Sequence, residues 1–364
     1  MAAHVKKPAG KTSMADYLAT LQKDYGEDIG SFGGQLVNSD RIPTGLFPLD
    51  LAMGGGFPVR RASVVYGPES SSKTNIVLKA IANFQRIYPE KVNVFFDVEN
   101  AFDPAWAARL GVITEKLVVI RPSYGEQIVD MAESALYTDD CGIVAIDSLA
   151  AILTTREFNN SAEVQNVGGN TLLLGALCRK TTLALMEAEK KGRMSTLLYI
   201  NQIRSKVGVV MGNPETMPGG NAPKFQASMI LRVHGKNVMD AKISKTMPVR
   251  KEVTFRITKW KAPILCAEGK VEMVMLPHGG FKPGEADDFN TVSEYLKAMG
   301  LFVKGEKGKG WIICGDAYPV IADFEKRLYG DAGFGMAIRN EIIGEMLTKG
   351  ELIADDEGKA EDSA

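Results

Sequence analysis

Residues 62–79 read ASVVYGPESSSKTNIVLK, and this stretch decides the fold of the chain. A short apolar run ends at Gly67, five polar or turn-forming residues follow, and Lys73 and Thr74 then open a second apolar run. The order predicts a strand, a loop and a helix. The spacing G-x-x-x-x-x-K-T is that of the phosphate-binding P-loop, except that Ser72 stands where the motif has its second glycine.

The chemistry of this loop follows from its backbone. Consecutive N–H groups form a concave nest for anionic oxygens, and the helix N-terminus adds its positive dipole end. Lys73 would reach the β- and γ-phosphates of ATP, and the Thr74 hydroxyl would bind Mg²⁺. The alternative is an ordinary strand-turn-helix with a surface lysine, but strand, loop, Lys-Thr pair and helix occur together as the motif requires. The predicted nucleotide-binding residues of the loop are Gly67, Pro68, Glu69, Ser70, Ser71, Ser72, Lys73 and Thr74.

Strands and helices alternate after the loop. Predicted strands lie at 92–96, 117–120, 143–146 and 196–200, with helical spacing at 125–137 and 172–188 between them. Such alternation predicts an α/β fold, a doubly wound and mostly parallel sheet covered on both faces. The alternation stops near residue 249, and the apolar runs 252–258 and 271–276 predict an antiparallel extension of that sheet.

Four regions are predicted along the chain. Residues 1–40 form an N-terminal arm with a helix that begins at a capping box, 13–16, and whose apolar stripe is buried either in its own core or on a neighbouring subunit. Residues 41–277 form the α/β core, which includes the turn-rich stretch 41–61. Residues 278–350 form a small α+β lobe, and the acidic tail 351–364 is expected to be disordered.

Composition narrows the class of protein. The 364 residues are 45% hydrophobic and 24% charged, as in globular proteins. The net charge of -1 means that any affinity for DNA must come from locally concentrated basic residues. Four widely spaced cysteines and three histidines indicate neither a disulfide framework nor a zinc site. We therefore expect the protein to be located in the reducing cytoplasm. We expect neither a signal peptide nor a membrane span.

Two further strands end in carboxylates. In an open parallel sheet, ligands bind beyond the carboxyl ends of the strands. Asp147 ends the strand 143–146 in the Walker B pattern and would hold Mg²⁺, while Glu99 follows the strand 92–96 as a candidate general base for the attacking water. Taken alone, Asp147 could be a helix cap and Glu99 a solvated loop acid. Together with the loop they favour ATP hydrolysis over ATP binding alone.

The strand 196–200 leads into a long loop that is rich in glycine and proline. Loops of this length are usually functional or disordered. Gln202 at the strand tip could sense the γ-phosphate and pass its state to the loop, where Arg204 and Lys206 could meet phosphates. The alternative is a mobile lid.

Five stretches go beyond a generic P-loop protein: GPESSSKT, FFDVENAFDPAWAARLGV, IVAIDSLAA, YINQIRSKVGVVMGNPET and GGNAPKF. In sequence and in order they resemble the motifs of bacterial RecA recombinases over about residues 40–315, and the departures resemble a divergent, phage-type member. The resemblance implies a RecA-like ATPase core, the cofactors ATP and Mg²⁺, and a role in DNA recombination, DNA repair and the SOS response to DNA damage.

The resemblance also implies roles for single residues. Glu99 matches the catalytic glutamate, and Gln202 matches the glutamine that couples ATP to the DNA loop. The positions that contact adenine correspond to Asp103 and Trp106. The implied catalytic residues are Glu99, Lys73, Gln202, Lys259 and Lys261. The last two match the paired lysines that reach the ATP of a neighbouring subunit in the family's filament.

The DNA contacts and partners are implied in the same way. The second DNA-binding loop spans 203–221, and the first lies at about 155–170. The N-terminal helix matches the segment that docks on the adjacent protomer, and the acidic tail matches one that limits access of double-stranded DNA. The implied DNA-binding residues are Arg204, Ser205, Lys206, Val207, Gly208, Met211, Gly212, Asn213, Gly219, Gly220, Asn221 and, in the first loop, Arg156.

Several positions depart from the family pattern. Ser72 replaces a glycine, and its Cβ would crowd the phosphate-binding backbone. Because serine is small and the position could be helical, we expect ATP affinity to be retained but altered. Met211 replaces an aromatic residue, residues 234–235 replace a basic pair, and the first DNA loop matches poorly.

These observations predict an ATP-dependent recombinase that polymerises on single-stranded DNA and pairs it with a homologous duplex. Its partners would be single-stranded DNA, double-stranded DNA, further copies of itself, and single-strand-binding and loader proteins. One alternative is a ring-forming helicase or DNA-repair ATPase on the same core. The other is a mediator that binds ATP without hydrolysing it.

Overall fold

The computed structural model describes residues 13–26, 40–159, 169–205, 215–261, 264–305 and 308–353. It divides the chain into two compact units, residues 1–40 and 41–364. The strands are β1 Arg41–Ile42, β2 Phe57–Pro58, β3 Ala62–Gly67, β4 Val92–Asp97, β5 Leu117–Ile120, β6 Cys141–Asp147, β7 Thr196–Gln202, β8 Arg204–Ser205, β9 Glu215–Thr216, β10 Met229–Val238, β11 Arg250–Trp260, β12 Glu268–Val274, β13 Phe302–Lys304, β14 Trp311–Ile313 and β15 Asp316–Tyr318.

The helices complete the alternation. They are α1 Met14–Tyr25, α2 Phe47–Ala52, α3 Lys73–Ile87, α4 Pro104–Arg109, α5 Gly125–Leu136, α6 Thr155–Asn159, α7 Gly169–Lys190, α8 Ala222–Gln226, α9 Phe289–Ala298, α10 Ile321–Gly330 and α11 Ala332–Ile353. In the described residues, no helix is both long enough and apolar enough to cross a bilayer.

The first unit contains α1. Its N-terminus is the predicted capping box: the Ser13 hydroxyl accepts from the Asp16 N–H, and the Asp16 carboxylate accepts from the Ser13 N–H. The helix ends at Gly26, which has a φ of 102° and whose N–H donates to the Gln22 carbonyl. These reciprocal bonds satisfy helix-end groups that would otherwise lack partners, so the local sequence determines where the helix begins and ends.

An eight-stranded sheet organises the second unit, with the order β12-β11-β10-β3-β7-β6-β4-β5. The strands from β10 to β5 run parallel to their neighbours, whereas β11 and β12 are antiparallel additions at one edge. The predicted fold class, a mostly parallel doubly wound sheet with an antiparallel extension, is therefore confirmed.

Both faces of the sheet are covered. One apolar cluster joins Ile76, Ile81 and Phe84 of α3 to the sheet, and the other joins side chains of α5 and α7, including Ile128 and Leu177. Burial on both faces explains why the parallel strands read as continuous apolar runs in the sequence.

Two of the differences from the sequence prediction concern the elements β10 and α2. The strand β10 was not predicted, because only its first half is apolar and its second half contains Gly235, Lys236 and Asn237. The stretch 41–61, predicted as turns, contains α2. The Asp50 carboxylate of this helix accepts from the Thr44 N–H and hydroxyl at 2.7 Å each and from the Gly45 N–H at 2.8 Å. Burial raises the pKa of Asp50 to about 7.

The C-terminal residues form a three-stranded sheet, β13-β14-β15, with α9, α10 and α11. Their apolar cluster includes Phe302, Phe324 and Ile342, and it extends to Phe47 and Leu51 of α2. The predicted tail, 351–364, lies outside the described residues from 354 onward.

Candidate active site

The loop predicted to bind phosphate connects β3 to α3, as the sequence indicated. Ser70 and Ser72 have φ values of 56° and 70°, both in the left-handed region. Ser72 precedes the first residue of α3, and its ψ of 19° is left-handed as well. The expectation that this position is helical enough to tolerate serine is therefore wrong, because the backbone there has the conformation that glycine adopts without strain. The Ser72 hydroxyl is buried and, within the described residues, has no hydrogen-bond partner.

Lys73 points back across the mouth of the loop. Its amine donates to the carbonyl of Gly67 at 3.1 Å and to that of Pro68 at 2.5 Å. Burial lowers the pKa of Lys73, and the carboxylates of Asp147 and Glu99 oppose this shift. The ammonium group therefore sits beside the anion nest, held by neutral carbonyls that a phosphate would replace.

Thr74 and Asp147 bring the P-loop and the end of β6 together. The Thr74 hydroxyl donates to the Asp147 carboxylate at 2.6 Å, and burial raises the pKa of Asp147 to about 6. These hard oxygen donors fit Mg²⁺, which is usually held by one or two protein oxygens together with substrate phosphates. The described residues contain no cluster of three or more metal-ligating side chains, which would be needed for a cage made of protein alone.

Glu99 follows β4 and is exposed. Its Oε1 accepts from the Gln202 amide at 2.9 Å and from the Ser148 hydroxyl. The backbone N–H of Val98 also donates to the Asp147 carbonyl at 2.8 Å. The carboxylate is therefore fixed beside the Thr74–Asp147 pair, and sequence reasoning did not find the role of Ser148.

The strand β7 carries Gln202 to the base of the long loop. The neighbouring Asn201 amide donates to the Pro218 carbonyl at 3.0 Å, and β8 pairs with β9, so the outgoing and returning chains are joined. Gly219 and Gly220 follow with φ values of 93° and 69°.

Half of the predicted DNA-binding residues belong to a part of the chain that the structure does not describe. Lys206, Val207, Gly208, Met211, Gly212 and Asn213 lie outside the described residues. Arg204 and Ser205 contribute backbone to β8, and Asn221 is the exposed N-cap of α8. In the first loop, Arg156 is exposed on α6, and residues 160–168 lie outside the described part.

The two residues predicted to contact adenine lie at the start of α4. The Asp103 carboxylate caps this helix by accepting from the N–H groups of Ala105 at 2.8 Å and Trp106 at 3.1 Å. The Trp106 indole N–H donates to the Asn75 side chain on α3 at 2.9 Å. Asp103 therefore orients the helix that presents the indole, and Asn75 anchors the indole to the helix that begins at the P-loop.

The paired lysines lie elsewhere in the structure. Lys259 donates to the carbonyls of Lys224 and Phe225, the latter at 3.1 Å, and Lys261 donates to the Phe225 carbonyl at 3.4 Å. Burial, and then the nearby charge of Lys261, lower the pKa of Lys259. Both amines thus bind the C-terminal end of α8, the short helix that follows the long loop.

The sheet register sets the paired lysines apart from the P-loop of their own chain. Lys259 pairs with Ile230, which pairs with Val64 near the start of β3, whereas the P-loop follows Gly67 at the other end of that strand. Three residues of strand correspond to roughly 10 Å. The lysines therefore lie near the amino edge of the sheet, and the phosphate loop lies at the carboxyl edge.

Comparison with known proteins gives one family. The RecA N-terminal domain family matches residues 12–276. Protein RecA of Herpetosiphon aurantiacus is 31% identical over 367 residues, which cover 96% of this chain and 97% of that protein.

Other relatives align over a shorter region. Protein RecA of Bifidobacterium breve is 39% identical over 233 residues, and Protein RecA of Symbiobacterium thermophilum is 38% identical over 230 residues. These alignments cover 63% and 62% of this chain but only 58% and 64% of those relatives. The family match over most of the chain, together with the nearly full-length relative, shows that the chain belongs to the RecA family.

Proposed function

We propose that this chain is an ATP-dependent recombinase that forms helical filaments on single-stranded DNA, pairs that strand with a homologous duplex, and hydrolyses ATP in response to DNA. The observation that carries the proposal is the 2.9 Å bond from Gln202 to Glu99. It connects the carboxylate at the nucleotide site directly to the strand that leads into the long loop.

The residues divide the chemistry among them. Thr74 and Asp147 would hold Mg²⁺, which neutralises charge on the phosphates of ATP. The amine of Lys73 leaves the carbonyls of Gly67 and Pro68 and binds the phosphates. Glu99 orients the attacking water and accepts its proton.

Coupling to DNA would follow from Gln202. Its amide occupies Oε1 of Glu99, so a movement of the strand tip changes how that carboxylate can hold water. DNA in the long loop would act on that tip through β7. The adenine base would stack on Trp106, whose indole is anchored to Asn75.

The paired lysines supply the other half of the site from a neighbouring subunit. Their position near the amino edge of the sheet, away from their own P-loop, supports a contribution in trans. A heterologous, head-to-tail contact of this kind generates an open helix unless its rotation closes into a ring. Filament growth and ATP binding would then depend on each other.

The remaining expectations follow from family membership. We infer that the protein acts in the cytoplasm, where its free cysteines would stay reduced. Proteins that bind single strands and load the filament would be its natural partners. Backbone contact and base pairing, rather than a sequence-reading motif, would govern DNA binding.

The test combines two measurements on the full chain: the ATP hydrolysis rate with and without single-stranded DNA, and electron microscopy of the protein on that DNA. A recombinase gives strongly stimulated hydrolysis and helical filaments. Rings that unwind duplexes directionally would indicate a helicase. ATP binding without DNA-stimulated hydrolysis would indicate a mediator.

A further inference from the structure

The strand β10 runs past the end of β3 and flanks the phosphate loop. Its parallel pairing with β3 ends at Arg232 and Tyr66, yet the strand continues to Val238. Gly235 lies in this overhang, and a Cβ placed on it would be 2.9 Å from the Ser71 Cα and 3.0 Å from the Ser70 carbonyl oxygen. The backbone of β10 is therefore in close contact with the P-loop, closer than any side chain at 235 would allow.

The side chain of Lys251 lies over Gly235, which has no side chain of its own. In the β10–β11 ladder, Gly235 pairs with Val253, so Lys251 is its diagonal neighbour on the same face of the sheet. Diagonal neighbours are within reach of long side chains. The Lys251 Cε lies 3.2 Å from the position that a Cβ on Gly235 would occupy. The Ser71 Cα and the Ser70 carbonyl oxygen lie close to that same position. The end of this lysine thus lies beside Ser70 and Ser71.

Among the described residues, no partner accounts for the position of the Lys251 amine. In the part of the chain that the structure describes, it makes no hydrogen bond and no ion pair, whereas Arg250 and Lys270 in the same ladder pair with Glu272 and Glu252. The side chain is half-buried, and burial lowers the pKa of Lys251.

We propose that Lys251 is a second cationic phosphate contact of this nucleotide site, delivered from the antiparallel edge of the sheet across Gly235 to the P-loop. The inference rests on the proposed function, since it assumes that the P-loop binds a nucleoside triphosphate. An amine that lies beside the P-loop and has no partner among the described residues is matched to an anion, because a bound phosphate would supply the counter-charge.

This contact gives the loop a charge that the P-loop motif does not contain. Lys73 reaches the phosphates from α3, inside the loop, and Lys251 would reach them from outside it. The two lysines repel each other until a polyanion lies between them. Nucleotide binding therefore relieves an existing repulsion as well as forming new bonds.

The experiment measures equilibrium binding of Mg·ATP to the full chain without DNA, at low and at high salt. The variants are Lys251→Gln, Lys251→Arg, Lys73→Ala and, as a matched control, Lys270→Gln, which removes an exposed lysine from β12. We expect Lys251→Gln to weaken binding by on the order of tenfold at low salt, a difference of about 1.4 kcal/mol. The difference in ATP affinity between the wild type and Lys251→Gln should be smaller at high salt, because salt screens the electrostatic contact.

The other variants make the result specific. Lys251→Arg should retain most of the affinity, Lys270→Gln should bind like the wild type, and the melting temperature of nucleotide-free Lys251→Gln should not fall. The inference is overturned if Lys251→Gln binds ATP as the wild type does, or if Lys270→Gln loses as much affinity. Failure of the wild type itself to bind ATP, with Lys73→Ala unchanged from it, would instead overturn the proposed function.

Discussion

Ser72 places an L-amino acid in the left-handed region at the N-terminus of α3. For residues other than glycine this conformation costs on the order of 1–2 kcal/mol. The side chain recovers none of this cost through hydrogen bonding, because its buried hydroxyl has no partner in the part of the chain that the structure describes. The loop therefore stores strain at the residue that connects the phosphate nest to the helix.

Substitutions at position 72 separate the cost of the left-handed backbone from the cost of the buried hydroxyl. Ser72→Gly and Ser72→Ala both remove the hydroxyl, but only glycine relieves the positive φ. We expect Ser72→Gly to unfold with a free energy about 1 kcal/mol greater than that of Ser72→Ala. Urea denaturation of the two nucleotide-free variants measures the difference. Equal stability, or a more stable alanine variant, would show that the backbone at 72 is not strained.

Gln202 connects the strand tip to Glu99 through its side-chain amide. Methionine has a similar shape and lacks the amide donor, so Gln202→Met should leave ATP binding nearly unchanged. Stimulation by single-stranded DNA should fall by a factor in the range typical of site-to-site coupling, about 5- to 150-fold.

The measurement is the hydrolysis rate with and without an oligonucleotide. Gln127→Met, which alters a glutamine on α5, is the control and should keep full stimulation. If Gln202→Met is stimulated as strongly as the wild type, the DNA signal does not pass through this amide.

Among the elements, α4 shows how a short helix is held in place at a site. Its six residues begin at the Asp103 cap. Asp103→Ala should lower the free energy of unfolding by about 1 kcal/mol, whereas Asp103→Asn keeps an accepting oxygen and should lose little. Urea denaturation of both variants checks this expectation. An asparagine variant as unstable as the alanine variant would mean that the negative charge, and not the cap, is what matters.

The turn that precedes α2 is held by Asp50, and its carboxylate gives a pH-dependent prediction. Because burial raises the pKa of Asp50 to about 7, the folded protein binds this proton more tightly than the unfolded chain, where the pKa is near its ordinary value. The contribution of the group is greatest at low pH and is lost as the pH rises through 7.

The melting temperatures of the wild type and Asp50→Asn, compared from pH 5 to pH 8, test this sign. The wild type should melt at a higher temperature than Asp50→Asn at low pH, and this difference in melting temperature should narrow as the pH rises. An advantage that widens with pH would mean that the three donors of Thr44 and Gly45 outweigh burial and stabilise the ionised carboxylate.

At the scale of the whole molecule, the sequence was sufficient wherever local chemistry and strand order determine the outcome. The P-loop, Asp147 and Glu99 could be predicted to meet because the carboxyl ends of parallel strands share one edge of the sheet. The capping box at 13–16 predicted the start of α1 for the same kind of local reason.

The features that could not be predicted depend on strand register, on contacts between distant parts of the chain, or on an unusual backbone conformation. The position of Lys251 over Gly235 follows from the pairing of β10 with β11, and β10 has too few apolar residues in its second half to be recognised as a strand. The Trp106–Asn75 and Glu99–Ser148 contacts join residues far apart in the chain. The left-handed conformation of Ser72 was unexpected because serine rarely adopts it.

The central claim is that an ATP site is completed by a neighbouring subunit, and mixing two inactive variants tests it most directly. Glu99→Gln removes the base from one side of the interface, and the double variant Lys259→Ala with Lys261→Ala removes the lysines from the other. Each alone should bind single-stranded DNA but show almost no stimulated hydrolysis.

In a random mixture, about a quarter of the head-to-tail interfaces would pair an intact Glu99 with intact lysines. The measurement is the rate of ATP hydrolysis by that mixture on single-stranded DNA. The account predicts that activity reappears on mixing and is greatest near equal proportions. A mixture that remains as inactive as its components, although both bind the DNA together, would contradict it.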